Sequence, residues 1–215
     1  MSYKPSDFYV KIIDVLAILL PGAMLSFMAI AASKIYVFGP ILPEIQGESQ
    51  GWIAFIFSSY LMGNFTYVLG RSLNYIYDRT YRKHKRKRGD KLKEFAETIK
   101  KSQLGDADEI INTFRWATAS LRIRSDAAIS EVDRVEAVSK FFRSITVVLF
   151  ITCIYVTYKD IWIAIIPCLV LMLLSFWRYM EQRWRRTVLT YEFFIVTTKI
   201  PNIEKNILPK QISDG

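Results

Sequence analysis

Residues 145–177 read ITVVLFITCIYVTYKDIWIAIIPCLVLMLLSFW, and the only charged positions in that stretch are Lys159 and Asp160. A bilayer core of roughly 30 Å takes about 20 helical residues at 1.5 Å each. The polar pair divides the run into 145–158 and 161–177, two apolar helices with almost no connection between them. The first is short, but Phe141 and Phe142 extend it, and Arg143 is free to snorkel its charge toward headgroups. Two helices of a soluble protein have no need of so many uninterrupted apolar residues. The stretch therefore predicts a tight helical hairpin across a membrane.

Two further runs lie upstream, at 15–32 and 52–69, and each is long enough to span. Ala29-Ile30-Ala31 has the small residues of a signal-peptide cleavage site. Asp7 and Asp14 spoil the basic leader such a peptide needs, so the first run is expected to stay as a span. The expected fold is all-α, with four transmembrane helices and a helical cytoplasmic insert between spans two and three. Its parts are an N-terminal hairpin at 1–70, a basic helical domain at 71–143, a C-terminal hairpin at 144–180 and an amphipathic tail at 181–215.

Charge supports this division. Hydrophobic residues make up 52% of the chain and charged ones 23%, which is compatible with spans only if the two kinds are segregated. Of the 29 Lys and Arg, 18 fall between Arg71 and Arg143, against 11 of the 20 acidic residues. The segment 33–51 carries only Lys34, Glu44 and Glu48, and the second outer loop is the neutral Lys159-Asp160. Arg178, Arg183, Arg185 and Arg186 make the tail basic. The positive-inside rule then puts the insert and both termini in the cytoplasm, as in a multi-pass plasma-membrane protein. Trp52, Tyr158 and Trp162 suit the outer interface, and Tyr75, Tyr77, Trp177 and Trp184 the inner one.

Ser59, Gly63, Thr66 and Gly70 recur at helical spacing in the second span, with Asn64 beside them. Small residues let helices approach closely, and an amide in hydrocarbon needs a partner or water. The stripe packs against span one or four, or it forms a homo-oligomer contact or lines a polar path. Pro21-Gly22 is expected to interrupt span one, and Pro167 to do the same in span four. No ionisable residue lies near the centre of a span, which argues against a proton-coupled transporter.

Three amphipathic helices are expected in the insert. The first covers 90–102, capped by Asp90 after the breaker Gly89. The second covers 106–122, with Ala107, Ile110, Ile111, Phe114, Ala117 and Leu121 as its apolar stripe. The third starts at Ser125-Asp126 and meets no Pro or Gly before Tyr158, so it is expected to continue into span three as a rigid strut. Arg115-Trp116 lies off the second stripe, available to a partner or to a neighbouring helix. Glu131, Asp133, Arg134 and Glu136 read as a solvated face. In the tail, Trp184, Val188, Tyr191 and Ile195 keep helical spacing, and beyond Pro201 a loose end is expected.

Arg82, Lys83, Lys85, Arg86, Lys87 and Arg88 form a basic run directly inside span two. Such a run anchors topology and meets anionic lipid, or it tracks the phosphates of a nucleic acid. Arg79 and His84 match the Arg-x4-His spacing of HEPN-type RNases, in which His acts as acid/base and Arg steadies phosphate charge. That resemblance implies a membrane-tethered RNase. Other catalytic templates are missing: there is no Gly-rich phosphate loop, Ser/His/Asp set or carboxylate pair in a span. Cys153 and Cys168 lie in apolar runs and His84 is the sole histidine, so neither a metal nor another cofactor is expected.

Tyr77-Asp78-Arg79 with Tyr81-Arg82, Arg115-Trp116-Ala117, Ser139-Lys140-Phe141-Phe142-Arg143 and Ser175-Phe176-Trp177-Arg178-Tyr179 recur in this order after a proline-broken first span. The set resembles small prokaryotic four-span membrane proteins from immune and mobile-element loci. That resemblance implies a non-enzymatic, oligomeric effector of antiviral defence that senses a trigger and alters membrane permeability. A membrane anchor that recruits a soluble protein or nucleic-acid-binding partner is the alternative.

Overall fold

A computed structural model describes the backbone of residues 5–36, 48–84, 86–105 and 110–207. The side chains of 5–11, 13, 14, 31–36, 48–50, 80–84, 86–88 and 200–207 lie outside that description. The elements are α1 (Pro5–Tyr36), α2 (Glu48–Leu69), a 3-10 turn (Gly70–Ser72), α3 (Leu73–His84), α4 (Arg86–Leu104), α5 (Thr113–Arg124), α6 (Asp126–Tyr158) and α7 (Trp162–Ile207). Among the described residues there is no strand.

Three helical stretches are long and apolar enough to cross a membrane: Gly51–Arg79, Asp126–Tyr158 and Trp162–Lys199. In α1 the apolar segment is shorter, Val15–Ile30. Only 11% of the most apolar window of α7 is buried inside the protein, and 22% of that of α2. Ile163 is 93% exposed and Ile166 71%. Apolar surface on that scale finds no cover in the fold itself and calls for lipid or further chains.

α1 pairs with α2, α6 with α7, and α1 also lies along α6. The α6–α7 connection holds the Lys159-Asp160 turn read from the sequence, with Ile161 as a third linking residue. Asp160 sits there at φ 55°, a left-handed conformation that Asp tolerates better than most residues. Lys159 N–H donates to the Tyr155 carbonyl and Ile161 N–H to that of Val156, each at 3.1 Å, which closes the end of α6.

The strut expected from Ser125 onward is present as one helix of 33 residues. Ser125 caps it, its hydroxyl accepting from Ala128 N–H at 3.3 Å. The end of α4 is set by Gly105 at φ +54°, a backbone geometry that most side chains resist.

Several boundaries differ from the sequence reading, each for a local reason. Gly89 does not break a helix; it sits inside α4, and the Trp184 ring lies so close that a Cβ there would strike it. Asp90 is therefore not an N-cap. The second insert helix starts at Thr113, because Asn112 turns back to accept from Phe114 N–H at 2.9 Å. Ile110 and Ile111 fall outside it and are exposed, while Ala107 lies outside the described residues. α1 runs through Pro21 and α7 through Pro167 without ending. α7 also continues past Pro201 to Ile207, where a loose end was expected.

The tail is the largest departure from the linear picture. Tyr191 and Phe194 of α7 are buried among Ala96 of α4, Ala117 and Leu121 of α5, and Ile129 and Val132 of α6. The last third of α7 is thus the fourth helix of the bundle beside the spans. Tertiary packing of an amphipathic face supplies its stability.

Candidate functional site

The small-residue stripe of α2 is occupied by other helices of the same chain. Ser59 is 1% exposed and Thr66 fully buried. A Cβ on Gly22 would collide with the Ser59 carbonyl oxygen, and one on Gly63 with that of Ile18. Backbone meets backbone at this crossing, which is why only glycine fits on each side. The hydroxyls are satisfied within α2: Ser59 donates to the Phe55 carbonyl at 2.7 Å and Thr66 to that of Gly63 at 2.8 Å. Asn64 likewise donates to the Tyr60 carbonyl at 2.9 Å. Gly70 faces elsewhere, toward the Arg143 side chain, whose Nε would lie 3.2 Å from an added Cβ. Gly22, read from sequence only as a helix breaker, is the true counterpart of Gly63.

Where the spans meet the bundle there is a polar cavity of about 540 Å³ that no sequence pattern announced. Its walls come from distant segments. Tyr67 and Asn74 flank the 3-10 turn, Glu136, Lys140 and Arg143 lie along α6, and Tyr179, Arg183 and Arg186 along α7. Five cationic and two acidic side chains line it. Glu136, expected on a solvated face, instead bridges helices: it meets Arg186 at 2.6 Å and Lys140 at 3.4 Å. Arg183 donates to Tyr179 Oη at 2.9 Å and to Asn74 Oδ1, and its guanidinium stacks over Tyr77 at 4.7 Å. Tyr179 Oη donates to the same Asn74 oxygen at 2.6 Å.

Arg143 differs from the rest. It is 8% exposed, stacks on the Tyr67 ring at 4.4 Å, and its Nε and Nη2 are buried without a hydrogen-bond partner. Arg186 Nε is in the same condition. The sequence reading let Arg143 snorkel toward headgroups, but in the fold it is buried beside Tyr67 and Gly70. Stacking uses only the face of a guanidinium, and the N–H groups in its plane still need acceptors. Burying a cation without an acceptor costs several kcal/mol.

Arg82, Lys83, Lys85, Arg86, Lys87 and Arg88, with His84, have side chains outside the described residues. Arg79 is exposed and donates to Tyr75 Oη at 3.3 Å. Trp116 is buried edge-on against Phe194 at 4.6 Å, so a neighbouring helix takes it, while Arg115 stays exposed. Arg134 forks onto Glu131 at 2.9 and 2.7 Å, and this hydrogen bonding holds the Glu131 carboxyl below its usual range despite some burial. Among the described residues no cluster of His, Cys, Asp and Glu has the geometry to hold a metal.

No family model, curated protein or solved structure matches the chain.

Proposed function

We propose that this is a four-span plasma-membrane effector of prokaryotic antiviral defence, homo-oligomeric, with bundle and both termini in the cytoplasm. A trigger or partner bound by the bundle changes the packing of the spans and with it the permeability of the membrane. One observation carries this reading: α6 and α7 each run unbroken from the buried bundle core into the apolar hairpin. Packed cores transmit displacement rather than absorb it, so a rearrangement around Ile129 and Phe194 reaches Leu149 and Cys168 through continuous helix. The resemblance to proteins of immune loci supports the defence role. Within one copy the α2 stripe is covered by α1 and, at Gly70, by Arg143 of α6, so a conducting path needs several copies.

Liposomes containing purified protein test the proposal. Ion flux that rises with activated protein is expected, together with several copies per particle in nanodiscs. Persistent impermeability of a triggered, correctly inserted protein would overturn it.

Ile110 and Ile123, 83% and 87% exposed on the bundle, favour a second reading. There they dock a soluble partner and the protein serves as an anchor without conductance. A stoichiometric partner lost on Ile123→Asp, with no flux in either form, would establish that role.

A further inference from the structure

We infer that the cavity beside Arg143 and Arg183 binds an anion carrying a phosphate group. The inference goes beyond the effector proposal and does not depend on whether the spans conduct.

Four observations converge on it. First, Arg143 is more than nine-tenths buried, lines the cavity, and keeps Nε and Nη2 without acceptors. These two nitrogens lie on one edge of the guanidinium, the edge that forks onto two oxygens of a phosphate. Second, internal pairing reaches some wall cations and not Arg143. Lys93 meets Glu97 at 3.2 Å and Glu136 is shared between Arg186 and Lys140, while among the described residues Arg143 forms no ion pair. A water molecule in the cavity supplies acceptor oxygens but no charge. An anion supplies both.

Third, about 540 Å³ exceeds what a bare inorganic ion fills and falls in the range of pockets for small organic ligands. Trp184 on the wall offers aromatic surface to the group that carries the phosphate, while the rings of Tyr67 and Tyr77 already stack with Arg143 and Arg183. Fourth, the level matters. Tyr67 lies near the end of α2 and Arg143 just before the apolar run of α6, at the inner ends of the candidate spans. Phosphates reach this level from two sides, as lipid headgroups or as soluble phosphorylated compounds in the cytoplasm. Both offer the same chemistry to the guanidinium groups.

The test uses full-length protein in a neutral detergent, with inorganic pyrophosphate as probe and sodium chloride matching the ionic strength. Pyrophosphate is expected to raise the Tm of the wild type, and Arg143→Met to weaken its binding by roughly tenfold or more. Without pyrophosphate, Arg143→Met should be at least as stable as the wild type, because an unaccompanied buried charge is gone. Arg183→Gln, at a less buried wall residue, guards against a failure of Arg143→Met to fold and is expected to weaken binding in the same direction. Phosphorus analysis of the purified protein separates the two sources. A phospholipid retained stoichiometrically by the wild type and lost from Arg143→Met identifies a headgroup. A pyrophosphate response with no retained lipid identifies a soluble phosphorylated ligand. If the wild type retains no phospholipid and its Tm ignores pyrophosphate, or if both variants behave as the wild type does, the inference is wrong.

Discussion

Arg186 of α7 meets Glu136 of α6 at 2.6 Å, and Lys140 approaches the other oxygen of the same carboxylate at 3.4 Å. One acid thus holds two cations from two helices at the rim of the cavity. Glu136→Gln removes the negative charge that the two share. All three side chains keep some exposure, so solvent weakens the pairing, and a loss on the order of 1 kcal/mol is expected. Thermal unfolding in detergent at low salt should show it, with the difference shrinking as salt screens the charges.

Gly22→Ala and Gly63→Ala each place a methyl group where a backbone carbonyl of the facing helix stands. Either substitution has to push α1 away from α2, and overpacking of this kind costs about 1–3 kcal/mol. Denaturant unfolding in mixed micelles measures the loss. The effects of the two should not add, because once the helices have separated the second methyl meets less resistance.

Trp116→Ala removes a ring seated on Phe194 and is expected to cost about 3–5 kcal/mol, enough to loosen the whole bundle. Arg115→Ala, next to it on the exposed side, should change Tm by no more than ordinary surface substitutions do, within about 0.5 kcal/mol. Equal effects of the two would mean that Trp116 faces a partner rather than the core.

The proposed four-crossing orientation is open to thiol labelling of intact cells, since Cys153 and Cys168 are buried and should stay silent. Tyr158→Cys, at a position 77% exposed beside the α6–α7 turn, should react with a membrane-impermeant maleimide from outside. Ile123→Cys should react only after the cells are opened. The reverse pattern would invert the topology and remove the basis for a cytoplasmic trigger.

Much of the fold was legible because its causes are local and one-dimensional. Ser125 as cap and the lack of a breaker up to Tyr158 were enough to define α6, and Lys159-Asp160 to define the turn after it. Gly89 misled because its meaning is tertiary: a glycine that makes room for Trp184, nearly a hundred residues away, looks like any other helix breaker in a linear reading. Ile110 and Ile111 misled because Asn112, a single capping side chain, outweighed their periodicity. The cavity had no linear trace at all. Arg143, Arg183 and Glu136 are ordinary charged residues of amphipathic stretches until three helices converge on them. What hydropathy reads as a snorkelling cation is, after folding, enclosed.

The uninterrupted course of α6 has a mechanical corollary. A rod of 33 residues is about 50 Å long, and tilting it by roughly 5° about its midpoint carries each tip sideways by about 2 Å. Arg143 sits close to that midpoint, where the displacement is smallest. An occupant held there would act as a pivot, fixing the centre while the two ends swing in opposite senses.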